Sequence, residues 1–361
     1  MKKKIGIITS GGDCAGLNAT IRAIVQCAKL KYNWDVVGIH RGGSGLMSSP
    51  IQYEELDVDF HGFSHVLLRM GGTILGTTTK GNPLAFHMAN GQIVDRSQEM
   101  AKNYHALGLD ALIVTGGDGS LKIMNEVARR GKMNIVCIPK TIDNDISMTE
   151  ALGFETAVNV AMEALDRLQP TAASHDRVMI LELMGRDAGH ITLSAGIAGG
   201  ADIILIPEVP FSIAAVVDKI KTIMKTGRNF ALIAVSEAAY PKDGEPHMVH
   251  YKNGSSRYGG IGHFLMKEID KHMDIETRVT VLGHVQRGGE PVARDRILAS
   301  AFGVYAVDLV AQGKFGRMVA WQGRELTDVD ILEAVNSYHT VDLKGTLVKT
   351  ARGLGISFGE S

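Results

Sequence analysis

The feature that most constrains this chain is a series of short, almost wholly apolar runs rich in β-branched residues, separated by stretches of helix length. They read "IGIIT" (5–9), "VVGI" (36–39), "ALIVT" (111–115) and "NIVCI" (134–138), then "RVMILEL" (177–183), "DIILI" (202–206), "FALIAV" (230–235) and "RVTVL" (278–282). A strand wetted on one face alternates polar and apolar residues, whereas a strand apolar throughout is buried on both faces, as in a parallel sheet covered by helices. The intervening segments carry the matching helical period. Ala157, Val160, Ala161, Ala164, Leu165 and Leu168 form one stripe, and Ile213, Val216, Val217, Ile220, Ile223 and Met224 form another, with Gly227 as a helix stop. The expected class is α/β with parallel sheets. If there are two sheets, the change falls near residue 150, and the late helix at 293–313 with "RMVAWQ" after it returns to the first sheet. The Gly-rich "SAGIAGGAD" (194–202) and the polar stretch 240–260 read as turns or mobile loops.

A chain of 361 residues, 45% hydrophobic and 21% charged, has room for two domains and a sizeable core. Its formal charge of -1 gives no general attraction to nucleic acid or to an anionic membrane, so any anion must be captured locally. Cys14, Cys27 and Cys137 lack the paired spacing of a zinc site and read as free, buried thiols of a reducing compartment. The opening apolar run is too short for a signal peptide and no segment has the apolar length of a membrane span, so a cytoplasmic protein is expected.

In open parallel sheets, ligands bind beyond the carboxyl ends of the strands. After the first run comes "TSGGDCAGLN" (9–18), where Gly11 and Gly12 permit close backbone approach to an anion and a following helix offers unpaired amides; a plain tight turn is the alternative. After "ALIVT" comes "GGDGS". Asp118 between Gly117 and Gly119 suits a magnesium ion bridging a carboxylate to phosphate oxygens, with a helix cap as the competing role. After "NIVCI" comes "PKTIDNDI". Asp143 and Asp145 are either solvated turn acids or, among phosphate-binding groups, the place of a general base that takes a hydroxyl proton during phosphoryl transfer. The second half supplies Arg177, Arg186, His190, Glu237, Arg278, His284 and Arg287. Such a set around strand ends implies a phosphate-ester pocket, with Glu237 suited to sugar hydroxyls.

With "TSGGDCAGLNATIRA", "GGDGS", "PKTIDNDI", "MGRDAGHITLSAGIAGGAD", "PEVPF" and "GHVQRGGEPVARDRILA" in this order, the chain closely resembles the 6-phosphofructokinase family over nearly its whole length. The resemblance implies two three-layer α/β domains. One is a donor domain of 1–150 with roughly 286–336, the other a fructose 6-phosphate domain of 151–285 with roughly 337–361. It implies phosphoryl transfer to the 1-hydroxyl of fructose 6-phosphate in glycolysis, with Mg2+ and ATP, by a homotetramer or, as the alternative, a dimer. Asp143 then matches the proton acceptor, Thr141 a residue at the transferring phosphate and substrate, and Asp118 the metal ligand. Gly12, Gly117, Gly119 and Ser120 match donor-binding positions. Met184, Gly185, Arg186, Glu237, His284 and Arg287 match sugar-phosphate contacts, and Arg186 also neutralises developing charge. Arg177 and Arg278 match contacts that reach a neighbouring subunit.

Two positions pull the donor assignment in opposite directions. Lys140 stands where ATP-using bacterial relatives commonly have Gly, as in pyrophosphate users and a mixed group; a flexible lysine can swing aside. Gly119 is the ATP-type choice, because it leaves room for a nucleotide. ATP is therefore expected, with pyrophosphate as the alternative donor and a non-catalytic sugar-phosphate sensor ranking lower. Lys80 is either a donor-phosphate contact or an exposed side chain. Arg22 matches one effector-pocket position, while Gln26 and Gln169 stand where relatives can carry Arg, so nucleotide activation should be altered or absent.

Overall fold

The computed structural model describes residues 2–88, 90–250 and 256–360. Its strands are β1 (Lys4–Thr9), β2 (Asp35–Ile39), β3 (Tyr53–Leu56), β4 (Phe86–His87), β5 (Ile93–Val94), β6 (Ala111–Gly116) and β7 (Ile135–Pro139). There follow β8 (Val178–Leu183), β9 (Ile203–Leu205), β10 (Ala231–Ser236), β11 (Met248–His250), β12 (Ser256–Tyr258), β13 (Thr277–Val281), β14 (Arg317–Gln322) and β15 (Glu325–Asp330). By its contacts the chain divides into two compact units, Met1–Glu155 with Arg287–Tyr338, and Thr156–Gln286 with His339–Ser361.

The first unit is built on a seven-stranded sheet in the order β15-β14-β7-β6-β1-β2-β3. The five inner strands are parallel, and β14 does return to this sheet beside β7. Successive side chains of a strand point to opposite faces. Ile5, Ile7, Ile113, Val136 and Ile138 therefore pack under the helices Leu17–Tyr32 and Ala293–Ala311, through Ile21, Ile24, Phe302 and Ala306. Ile8, Leu112, Val114, Ile135 and Cys137 face the helices Ser97–Ala106 and Asp118–Gly131. Three layers result. Gly303 permits the close crossing of the first helix pair, since a Cβ there would lie 2.7 Å from that of Ala23. The parallel expectation fails at the two edges: β3 and β15 run antiparallel to β2 and β14. Neither is more than half apolar and both carry acids, as suits an edge strand open to water, so the apolar-run criterion passed over them.

The second unit has a four-stranded, fully parallel sheet in the order β13-β8-β10-β9. The stripe on the helix Ile213–Lys225 packs on one face against Ile180, Ile203 and Ile233. This helix ends as expected, with Thr226 as its cap and Gly227 at φ +92°. Met179 and Leu232 on the other face meet Ala172 and Leu168 of the helix Phe154–Ser174. Residues 194–198, expected as a turn, are instead the end of the helix His190–Ala198. Gly196 serves packing rather than turning, since a Cβ there would come within 2.6 Å of Ile204. Within the stretch read as a loop, β11 and β12 pair as an antiparallel hairpin, and residues 251–255 lie outside the described residues. The three cysteines are free and buried, and burial pushes the Cys14 thiol up to about 12. Among the described residues, no helix is long and apolar enough to cross a membrane.

Candidate active site

In the first unit, the turns after β1, β6 and β7 lie side by side because those strands are sheet neighbours. The Gly-rich turn after β1 is held from two directions. Gly11, at φ +85°, donates to the Thr78 carbonyl at 3.1 Å, and Thr77 Oγ1 donates to the Gly11 carbonyl at 2.7 Å. On the other side, Ser10 N donates to the Thr115 carbonyl at 2.9 Å and Ser10 Oγ to Ser120 Oγ at 3.1 Å. The segment 77–78, unassigned from sequence, is thus the brace that holds the turn open. Lys80 beyond it is exposed.

Gly117 is the N-cap of the helix Asp118–Gly131, and Asp118 is the first residue inside it. The capping alternative for Asp118 is not adopted, and a carboxylate in the first turn is favoured by the helix dipole. Gly119 borders open space: a Cβ built there has no neighbour within 4 Å. Gly12 is different, because its Cβ would sit 2.8 Å from the Arg287 guanidinium.

Thr141, Asp143 and Asp145 are all buried, at 8%, 4% and 2% exposure, so the reading of these acids as solvated turn residues falls. Thr141 Oγ1 accepts from Asp143 N at 3.1 Å, and Asn144 takes the left-handed φ of +56°. The loop is tied at both ends, by Lys140 N donating to the Gly116 carbonyl and Thr141 N to the Leu152 carbonyl. Lys140 itself is 4% exposed, and burial draws its pKa below the usual lysine range. Its ammonium donates to the Gly12 carbonyl, so the lysine expected to swing aside is packed in place. Arg287 Nη1 donates to the Asp13 carbonyl at 3.0 Å, which puts this predicted sugar-phosphate contact beside the Gly-rich turn.

In the second unit, Met184, Gly185 and Arg186 follow β8, and Glu237 follows its neighbour β10. The carboxylate of Glu237 accepts from Gly185 N at 3.3 Å and from Arg186 N at 3.1 Å. Met184 N donates to Gln286 Oε1 at 2.8 Å. Gln286, buried and unassigned from sequence, fixes the start of this loop; its place between His284 and Arg287 was the available signal. His284 is exposed in the short 3-10 turn Gly283–Arg287. His190 opens the next helix, with its ring stacked on His339 at 4.6 Å.

Arg177 and Arg278 do not join that group. They sit at the amino ends of β8 and β13, about 20 Å of strand away from residue 184, and they share one partner. Arg177 holds Glu276 through two bonds of 2.7 and 3.0 Å, and Arg278 donates to the same carboxylate. Hydrogen bonding from Arg177 holds the Glu276 carboxyl below its usual range. Strand direction thus places Arg177 and Arg278 at the opposite end of the second unit's sheet from Arg186.

Solved structures share this architecture. The phosphofructokinase of Pichia pastoris in the T-state superimposes with a TM-score of 0.78 at 31% identity, covering 93% of this chain; the chain spans 36% of the yeast protein's length. A pyrophosphate-dependent phosphofructokinase from Marinobacter aquaeolei has the same fold, with a TM-score of 0.78 at 20% identity over 99% of this chain and 92% of its own. The family model described as Phosphofructokinase matches residues 4–310. Proteins named ATP-dependent 6-phosphofructokinase 1 from Synechocystis sp. and from Nostoc sp. are each 56% identical over 99% of this chain, covering 98% and 99% of their own lengths. The chain belongs to the phosphofructokinase family.

Proposed function

We propose that this chain transfers a phosphoryl group from ATP to the 1-hydroxyl of fructose 6-phosphate, giving fructose 1,6-bisphosphate and ADP in glycolysis. The observation that carries the choice of donor is the open space at Gly119, at the start of a helix and one residue from Asp118. A side chain there would occupy the room an inner nucleotide phosphate needs. The names of the relatives at 56% identity support the same choice.

The first unit acts as the donor domain in this reading. Gly12, Gly117, Gly119 and Ser120 receive the donor, aided by the positive end of the helix Asp118–Gly131, with Lys80 as an outer contact. Asp118 suits a magnesium ion: it is a first-turn carboxylate one residue from the open space at Gly119, and Mg2+ uses one or two carboxylates together with substrate phosphates. Bound there, Mg2+ would supply positive charge between that carboxylate and the phosphates. Asp143 takes the proton of the sugar hydroxyl, and Thr141, whose hydroxyl accepts from Asp143 N, sits at the transferring phosphate. Lys140 acts from beneath, through Gly12, rather than by direct reach.

The second unit is the fructose 6-phosphate domain. Met184, Gly185, Arg186, Glu237 and His284 contact the sugar phosphate, and Arg186 neutralises charge as the phosphoryl group moves. Arg177 and Arg278 serve a neighbouring copy in a homotetramer. Their place at the far ends of β8 and β13, paired to Glu276, supports a role outside their own chain's loop. The free, buried cysteines suit a reducing cytoplasm.

The test is a pair of assays with fructose 6-phosphate and Mg2+, one with ATP and one with pyrophosphate. Turnover with ATP is expected; turnover with pyrophosphate alone would reverse the donor. Lys140 is the observation that favours pyrophosphate, since its amino group is held against the phosphate-binding turn through the Gly12 carbonyl.

A further inference from the structure

The loop 184–189 is held by side chains at almost every residue. Its start is bound to Gln286, its middle to Glu237, and Gly189 N donates to both oxygens of Glu208 at 3.0 and 3.1 Å. Arg186 nevertheless sits at φ +51°, a left-handed conformation that a side chain disfavours, so the turn persists only where its surroundings determine it. Glu237 grips the backbone on one side of Arg186. On the other side, the Tyr258 hydroxyl donates to Asp187 Oδ1 at 2.5 Å.

Tyr258 is itself anchored to the strand from which the loop departs. Gly260 N and Gly262 N donate to the carboxylate of Glu182 at 3.1 and 2.9 Å, and Glu182 is a buried residue of β8. Gly262 eases this approach, because a Cβ there would lie 2.9 Å from Val279 Cγ1 and 3.1 Å from Glu182 Oε2. The contacts close a ring: β8 at Glu182, out along the loop to Asp187, across to Tyr258, and back through Gly260 to Glu182.

We infer that Tyr258 is a positioning residue for the sugar-phosphate loop, its grip on Asp187 fixing the left-handed turn that presents Arg186. The hydrogen bond to Asp187, with burial, pushes the phenol up to about 12, so Tyr258 remains a donor through the neutral range. The inference rests on the reading of residues 184–186 as sugar-phosphate contacts. It adds a residue from a hairpin that none of the motifs contains.

The experiment compares Tyr258→Phe, Asp187→Ala and the double variant with Arg186→Ala as reference. Each is measured by steady-state kinetics in both substrates and by calorimetric binding of fructose 6-phosphate without ATP. Tyr258→Phe is expected to raise the KM and Kd for fructose 6-phosphate by about five- to twentyfold, with KM for ATP changed less than about twofold. The double variant should be no worse than the worse single one, as two ends of one interaction require. Arg186→Ala with unchanged sugar-phosphate affinity overturns the underlying reading of the loop. A large effect of Arg186→Ala beside a neutral Tyr258→Phe, or additive effects of Tyr258→Phe and Asp187→Ala, overturns the positioning role alone.

Discussion

The ammonium of Lys140 donates to the carbonyl of Gly12 at 2.5 Å, joining the turn after β7 to the turn after β1. The bond fixes the direction of the Gly12 peptide, and therefore of the amides beside it. Lys140→Met keeps the length and apolar stem of the side chain but leaves that carbonyl without its charged donor. Apparent affinity for ATP should fall about tenfold or more, the scale of a lost charge-assisted hydrogen bond, while KM for fructose 6-phosphate stays within about twofold. Initial-rate kinetics in each substrate decide it. Equal weakening toward both would mean the lysine merely supports the fold.

Gly119 is the position at which the donor can be changed. Because an added Cβ meets nothing there, Gly119→Asp is expected to fold with a thermal midpoint close to that of the parent. ATP turnover should nevertheless drop by about a hundredfold or more, as a carboxylate enters the space of an anionic phosphate. Intact ATP turnover in a folded Gly119→Asp protein would remove the argument from open space.

Asp143 is buried, and its backbone amide is held by Thr141, so its carboxylate is well placed to act on a proton. Asp143→Asn preserves shape and removes the base. Turnover should fall by about 10²–10⁴-fold, with calorimetric binding of fructose 6-phosphate largely retained. Parent-like turnover would transfer the base role elsewhere.

His190 gives the protein an acid-sensitive element. Burial holds its imidazole down to about 4, against 6.5 for a free histidine, while its Nε2 bonds the His339 carbonyl at 3.0 Å. The unfolded chain binds this proton more readily, so the stabilisation is whole above pH 6.5 and is lost as pH falls toward 4, up to about 3 kcal/mol. Unfolding midpoints of the parent and of His190→Gln, recorded from pH 7 to 4, should diverge in slope over that window. Parallel profiles would refute the assignment.

Regulation follows from charge. Arg22 is engaged with the Ser64 carbonyl at 2.9 Å, and its neighbour on the helix is the uncharged Gln26, which donates to Ser64 Oγ at 3.4 Å. Gln26 offers an anionic activator no charge-assisted hydrogen bond. Addition of ADP should leave the fructose 6-phosphate saturation curve in place, and a robust shift in apparent affinity would contradict this.

Much of the architecture was legible in the sequence because burial on both faces leaves a plain mark. β1, β6, β7, β8 and β10 are runs of apolar residues, and Gly12, Asp118, Asp143 and Arg186 stand just beyond the ends of four of them. The edge strands β3 and β15 were missed because their faces are mixed, which a periodicity criterion cannot separate from a loop. Glu276, Gln286 and Tyr258 were missed for another reason: each acts through a partner distant in sequence, and nothing local to it marks the pairing.

The order of apolar runs and Gly-rich turns by itself determined the fold class and the family, since solvent exclusion and backbone freedom are written residue by residue. Tertiary structure alone decided that Lys140 is packed beneath Gly12 instead of free to move, that Arg177 and Arg278 lie at the opposite strand ends from Arg186, and that Asp187 meets Tyr258. Those outcomes depend on which strands are neighbours and which way they run. Distances across a sheet are set by pairing, and pairing is a property of the whole folded chain.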